Sequence, residues 1–208
     1  MIGVRIGLGL VLAYLLGALP VGYLITLAVK RVDIRAVGSG HTGGTNVLRV
    51  AGALPAALTI LGDAAKGYAA VAVARSLGGG WPWAAPLGGI AVVLGHNYSI
   101  FLAFKGGVGT MATLGAALGL MPWGGLGAAL VALCVIAGTR YASVGSLTFA
   151  ALLPIACIAG AAYGAWSWET LLFTLATGAL SAWGLRANIR RLRQGTERKI
   201  GQRAEASR

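Results

Sequence analysis

Three short stretches of this chain combine glycine with cationic or hydrogen-bonding side chains. In the first, Gly38, Ser39, Gly40, His41, Thr42, Gly43, Gly44, Thr45 and Asn46 lead to Arg49. Glycines such as Gly38 and Gly40 let successive backbone N–H groups turn toward one point and form an anion nest. Ser39, Thr45 and Asn46 add neutral donors and Arg49 adds a guanidinium, a set suited to phosphate. No Lys-Ser or Lys-Thr pair follows the glycines, so the stretch is not a P-loop. In the second, Asp63 and Lys66 stand three apart on one helix face, within an apolar segment. Charges there are costly and mark either a functional site or a pair that neutralises itself. Lys66 either snorkels or reaches a substrate. In the third, His96 precedes Phe104, Lys105, Gly106, Gly107, Val108 and Gly109. A histidine beside a second glycine nest resembles an anion site with a proton carrier, although a hydrogen-bonded structural histidine fits the same residues.

The elements that must position these residues lie in lipid. The chain has 208 residues, 57% of them hydrophobic and 11% charged. Its mean hydropathy is +0.79. Soluble domains carry about 25% charged residues, because their surface must be wetted. The net charge of +12 falls in loops and the tail, where it sets topology by the positive-inside rule. Nucleic-acid binding is not expected, since no aromatic residues interleave with the basic runs. Cys134 and Cys157 sit in apolar runs and read as buried small hydrophobes. No spacing suggests a metal.

A helix needs about 20 apolar residues to cross the hydrocarbon. Seven segments qualify, with one of them short: residues 6–29, broken at Pro20, then 52–77, 84–94, 110–121, 124–139, 144–163 and 169–185. Residues 30–50 read as a polar loop. The expected fold is all-α, a polytopic membrane protein of about seven transmembrane helices. Residues 1–185 form the membrane domain and residues 186–208 a basic cytoplasmic tail, helical at its start and disordered beyond. With the tail inside, fourteen of the 17 Lys and Arg residues face the cytoplasm, while Arg5 and Arg75 face out and Lys66 lies in a span. That asymmetry predicts the N-terminus out and the C-terminus in. Both polar loops then face the cytoplasm, where the two glycine-lined pockets are expected to meet.

Together the patterns GSGxxGxTNxxR, DxxKG and GHxxxxFxxFKGG, in that order, resemble the acyl-phosphate-dependent glycerol-3-phosphate acyltransferases of bacterial membranes. The resemblance extends to the closing Asn-Ile-Arg-Arg-Leu segment and the Gly-Thr-Glu after it. It implies transfer of a fatty acyl group from acyl phosphate to the 1-hydroxyl of glycerol 3-phosphate, with no cofactor, in the bacterial inner membrane, by a monomer. By motif match Ser39, Asn46 and Arg49 line a phosphate site, and Lys66, His96, Lys105 and Asn188 are further substrate or catalytic positions, with Gly106 and Gly107 beside them. His96 is the candidate base, with the donor phosphate as its rival, and Ser39 is the second candidate catalytic residue. No Ser-His-Asp or Cys-His set appears in the polar loops, so a covalent acyl-enzyme is not expected. His41, Gly44, Val108, Leu185 and Ala187 depart from the family pattern, which carries a second lysine at Val108. Two other readings stand beside this one: a lipid- or phosphate-binding paralogue without activity, and a small transporter using Asp63 and Lys66.

If Val108 marks a lost phosphate contact, Val108→Lys raises turnover. Steady-state kinetics showing an unchanged or lower rate count against that reading.

Overall fold

The computed structural model describes residues 1–202, and every regular element among them is helical. The last six residues, with Arg203 and Arg208 of the expected inside set, lie outside the described residues. The chain runs α1 (Ile2–Ala18), α2 (Val21–Lys30), α3 (Gly44–Ala51), α4 (Ala53–Leu77), α5 (Ala84–Asn97), α6 (Thr110–Leu120), α7 (Pro122–Thr139), α8 (Ala142–Ala162), α9 (Thr170–Gly184) and α10 (Arg186–Arg193). Five stretches are long and apolar enough to cross a membrane: Ile2–Lys30, Ala53–Leu77, Ala84–Leu102, Pro122–Thr139 and Ala142–Ala162. The helices α6 and α9 are apolar but shorter.

Pro20 divides the first hydrophobic segment. It has no N–H to donate and it disfavours helical geometry at the residue before it. The chain accordingly leaves the helix at Leu19, whose backbone is extended (φ −57°, ψ 116°), and re-enters it at Val21. The interior of the bundle is built mostly from alanine and glycine, with a few larger side chains such as Phe173, Met121 and Leu153 fully buried. Large apolar side chains instead face outward, as lipid requires: Leu8, Leu58, Leu130 and Ile155 are all at least half exposed. Cys157 is buried, but Cys134 is exposed on α7. The expectation of two buried cysteines therefore holds for one, because an apolar run in a membrane helix has a lipid face as well as a core face.

Small residues let the helices approach closely, and packing rather than hydrophobicity then holds them together. One such close seam joins α1 and α5. A Cβ on Gly17 would stand 2.1 Å from the Val92 carbonyl oxygen, and one on Gly95 would stand 2.1 Å from that of Tyr14. The contact is reciprocal, each helix presenting glycine to the other's backbone. It also fixes the end of α5, where His96 and Asn97 lie. Elsewhere α4 packs on α1, α5 and α6, and α8 packs on both α7 and α9.

Three local expectations change. The loop of residues 30–50 contains α3, an eight-residue helix entered at Gly43. The third hydrophobic segment stays helical through Asn97 rather than ending at Leu94. The tail is ordered past α10: Ile200 N–H donates to the Arg140 carbonyl at 2.7 Å, and the Arg140 guanidinium donates back to the Ile200 carbonyl at 3.0 Å.

Gly95→Val should drive α1 and α5 apart and lower the melting temperature in detergent by several degrees or abolish folding. Gly127→Val, where an added Cβ meets nothing within 4 Å, should leave it within about 2 °C of the parent. Equal melting of the two variants would refute the seam.

Candidate active site

A cavity of about 480 Å³ opens where the first loop, α3, α5 and the tail meet the lower ends of α6, α7 and α8. Its polar wall carries Ser39, His41, Thr45, Arg49, His96 and Asn188. Its apolar wall runs from Ile136 to Ala129 on α7, with Leu114 and Phe149 opposite, a depth of about 10 Å at 1.5 Å per helical residue. Ile60 on α4 and Leu133 on α7 line the cavity although they are 39% and 60% exposed. Since α4 and α7 scarcely touch, the cavity opens sideways between them into the lipid-facing surface.

The first loop owes its shape to one side chain. The Asn46 amide group donates to the carbonyls of Val37 and His41, both at 3.0 Å, and of Ile34 at 3.3 Å. Its Oδ1 accepts the Ser39 N–H at 3.0 Å. Gly38, at φ +64°, passes so close that a Cβ there would stand 2.1 Å from Asn46 Oδ1. Asn46 is 2% exposed and every polar atom of its amide is engaged within the protein. It therefore shapes the loop and keeps no free polar atom for a phosphate, a correction to its expected role. Outside the cavity, Arg35 braces the loop, pairing with Asp33 at 2.7 Å and donating to the Leu102 carbonyl at 3.2 Å. The hydrogen bond from Arg35 holds the Asp33 carboxyl below its ordinary range.

At the N-terminus of α3, the Asn46 and Val47 N–H groups bond to Gly43. The Gly44 and Thr45 N–H groups belong to the first turn, which no side chain caps, and both residues line the cavity. The positive end of a helix there favours an anion. Arg49, one turn further on, is the only Lys or Arg among the described residues that line the cavity. Its Nε is buried without a partner, and one Nη donates to the Arg198 carbonyl at 3.4 Å. Burial weakens its hold on the proton and nearby Glu197 strengthens it.

Asp63 has two nitrogen groups, one from Lys66 and one from His96, close to a single oxygen. Lys66 Nζ lies 2.8 Å from Asp63 Oδ1 and His96 Nδ1 lies 3.4 Å from it. Lys66 also donates to the Leu19 carbonyl at 2.8 Å, which at the break around Pro20 accepts the Val21 N–H at 3.0 Å as well. Lys66 is buried and lies off the cavity wall, so in place of its expected substrate contact it braces the broken helix. With Nδ1 facing a carboxylate, the basic lone pair of His96 falls on Nε2. The Ser, His and Asp types absent as a set from the loops thus meet in this cavity through Ser39, His96 and Asp63.

The second glycine stretch differs from its expected form. The Gly106 and Gly107 N–H groups donate to the carbonyls of Asn97 and His96, both at 3.1 Å, so they form no anion nest. They are glycine because His96 lies against them: a Cβ on Gly107 would stand 2.2 Å from His96 Nε2. Lys105 is exposed and off the cavity wall. The expected meeting of Arg49 and Lys105 in one pocket is therefore half realised. Val108 does line the cavity.

The tail supplies a residue that sequence reasoning missed. Glu197 lines the cavity and accepts hydrogen bonds from Ser143 at 2.8 Å, Asn188 at 2.6 Å and Arg191 at 2.8 Å. Burial opposes its ionisation, but these three donors outweigh it and hold the carboxyl below its ordinary range. Asn188 gives its amide N–H to Glu197 and keeps Oδ1 buried and unpartnered. Its place in the Gly-Thr-Glu stretch after the last basic helix was the one signal that could have found Glu197.

A helical bundle with five helical stretches apolar and long enough to cross a membrane, and a cavity with one polar and one apolar wall, defines an integral membrane protein with a two-sided pocket. The comparisons with known proteins name the family. A model of the glycerol-3-phosphate acyltransferase family matches residues 7–195. Glycerol-3-phosphate acyltransferase 2 of Moorella thermoacetica is 41% identical over 95% of this chain and 98% of its own length. The glycerol-3-phosphate acyltransferase of Thermus thermophilus is 45% identical over 95% of this chain and 96% of its own. The crystal structure of PlsY, an integral membrane glycerol 3-phosphate acyltransferase, superposes in its glycerol 3-phosphate form with a TM-score of 0.85 at 34% identity, over 94% of this chain and 96% of that one. Its lysophosphatidic acid form gives 0.83 at the same identity. The chain belongs to the glycerol-3-phosphate acyltransferase family.

Asn46→Asp would place a carboxylate against three carbonyls and should cost at least about 3 kcal/mol of loop stability, with loss of activity. Thermal unfolding in detergent together with a turnover assay checks this. An active variant with unchanged melting would refute the structural role.

Proposed function

We propose that this protein transfers a fatty acyl group from acyl phosphate to the 1-hydroxyl of glycerol 3-phosphate, giving lysophosphatidate and inorganic phosphate. The observation that carries this reading is the two-sided cavity. One wall offers the α3 N-terminus and Arg49 to a phosphate, and the other offers a lipid-accessible apolar slot about 10 Å deep to an acyl chain. The two substrates come from different solvents, and the cavity is where both can be held.

The donor is already activated, so the protein's task is orientation and charge stabilisation. The acceptor hydroxyl oxygen attacks the acyl carbonyl carbon. The bond from that carbon to the phosphate oxygen breaks and phosphate leaves with the electron pair. The hydroxyl proton passes to His96 Nε2, oriented by Asp63, or to the departing phosphate. Ser39, Thr45 and Arg49 hold the acceptor phosphate, the unpartnered Asn188 Oδ1 accepts from an acceptor hydroxyl, and the exposed Lys105, outside the cavity wall, adds positive charge that attracts anions. Gly38, Gly40, Gly106 and Gly107 shape the backbone on either side, and Asn46 fixes the first loop.

In this reading the two shorter apolar helices also span, giving seven crossings with the N-terminus out and the C-terminus in. The site faces the cytoplasm in the bacterial inner membrane, and the protein acts as a monomer. Residues 1–185 form the acyltransferase unit, and the basic tail of residues 186–208 lends it Asn188 and Glu197.

Purified protein given acyl phosphate and glycerol 3-phosphate should make lysophosphatidate and release phosphate in equal amounts. No turnover beside an active control enzyme would remove the proposal. Arg49→Ala should lower kcat/KM about tenfold to a hundredfold, the worth of one charge-assisted contact. Kinetics equal to the parent would refute its phosphate role.

A further inference from the structure

His41 is a titratable group on the cavity wall that the reaction above does not use. It sits between Ser39 and the start of α3, so its ring lies on the same wall as the Ser39 and Thr45 donors and the Arg49 guanidinium. Its backbone is fixed by the bond from Asn46 to its carbonyl at 3.0 Å. The charges that act on it from α10 are cationic, Arg186 and Arg191, and Arg49 of α3 lines the same cavity. His96 faces it from α5 with Asp63 of α4 behind, Glu197 lies across the cavity, and Lys105 stands beside Gly106. Burial, together with Arg191, His96 and Arg186, keeps the His41 imidazole below its ordinary pKa, and only a contact with the Gly106 backbone works the other way.

An imidazole so placed is neutral in the empty cavity near pH 7. A phosphate dianion arriving within hydrogen-bond reach reverses the local field. An opposite charge at that range raises proton affinity tenfold or more, on the order of one to three pK steps. We propose that His41 is a contact of the acceptor phosphate that takes up a proton as the dianion binds. The inference rests on the reading that this wall holds the acceptor's phosphate. It makes acceptor binding a proton-coupled event, with the second positive charge supplied by titration.

The sign follows from linkage. The occupied cavity binds more protons than the empty one, so acceptor affinity rises as pH falls between the two His41 pKa values. The limit for one proton is about tenfold per pH unit. Below the lower value the dependence ends, because His41 is then charged in both states.

The test is calorimetric titration of the purified detergent-solubilised protein with glycerol 3-phosphate near neutral pH, in two buffers of different ionisation heat. The parent, His41→Asn and His41→Gln are compared, with melting curves confirming that each is folded. The ligand's own phosphate titrates equally in all three. The expected result is greater proton uptake by the parent than by either variant, with the acceptor KM of both variants losing part of its pH slope. Equal proton uptake in parent and folded variants overturns the assignment while leaving the acyltransferase reading intact. A parent that binds no glycerol 3-phosphate overturns both.

Discussion

A carboxylate buried inside a membrane helix must be neutralised where it stands, and Asp63 is paired with Lys66 and faced by the His96 ring. Lys66 approaches along the same helix and also donates to the Leu19 carbonyl, beside the break at Pro20. His96 approaches from α5 and in doing so demands glycine at positions 106 and 107. One oxygen therefore ties together the broken first helix, the end of α5 and the third polar stretch. Removing one member of such a cluster strands the others, at a cost of about 3–5 kcal/mol for a buried pair. The rest of the cavity is arranged around this fixed point, with the first loop on one side and the tail on the other.

Much of this was legible from residue types. Membrane class, helical content and segment positions follow from apolar run length, since lipid leaves the backbone few alternatives. The candidate residues Ser39, Thr45, Arg49, His96 and Asn188 all reach one cavity. Less legible was what each polar group is occupied with. Asn46 and Arg49 look alike in sequence as phosphate donors, yet Asn46 is consumed by the loop's own carbonyls and Arg49 is not. Lys66 and Lys105 both read as cations near a site, yet one is locked onto Asp63 and the other is exposed. Glycines 106 and 107 looked like an anion nest. They serve close approach, which depends on where His96 falls in three dimensions and leaves no mark in the local sequence. The short helix α3 was hidden in a polar stretch because eight residues give too little periodicity to separate helix from loop.

The cavity itself joins two solvents. Its polar wall is made of loops and helix ends, where backbone N–H groups are free to bind an anion. Its apolar wall is made of helix flanks, which have no free backbone groups and suit a hydrocarbon chain. Ile60 and Leu133, exposed yet lining the same space, mark where the wall gives way to the bilayer. A lipid tail can stay in hydrocarbon throughout while its head reaches α3, so neither substrate has to enter the other's medium.

The folding back of the tail has a consequence for how the enzyme comes into being. Asn188, Glu197 and Ile200 follow α9 in the chain, so the helices that supply the remainder of the cavity leave the ribosome before them. The nascent protein can thus reside in the bilayer with its spans assembled while its reaction chamber still lacks a side. Emergence of the tail closes that side, which ties the onset of chemistry to a step that follows synthesis of the spans.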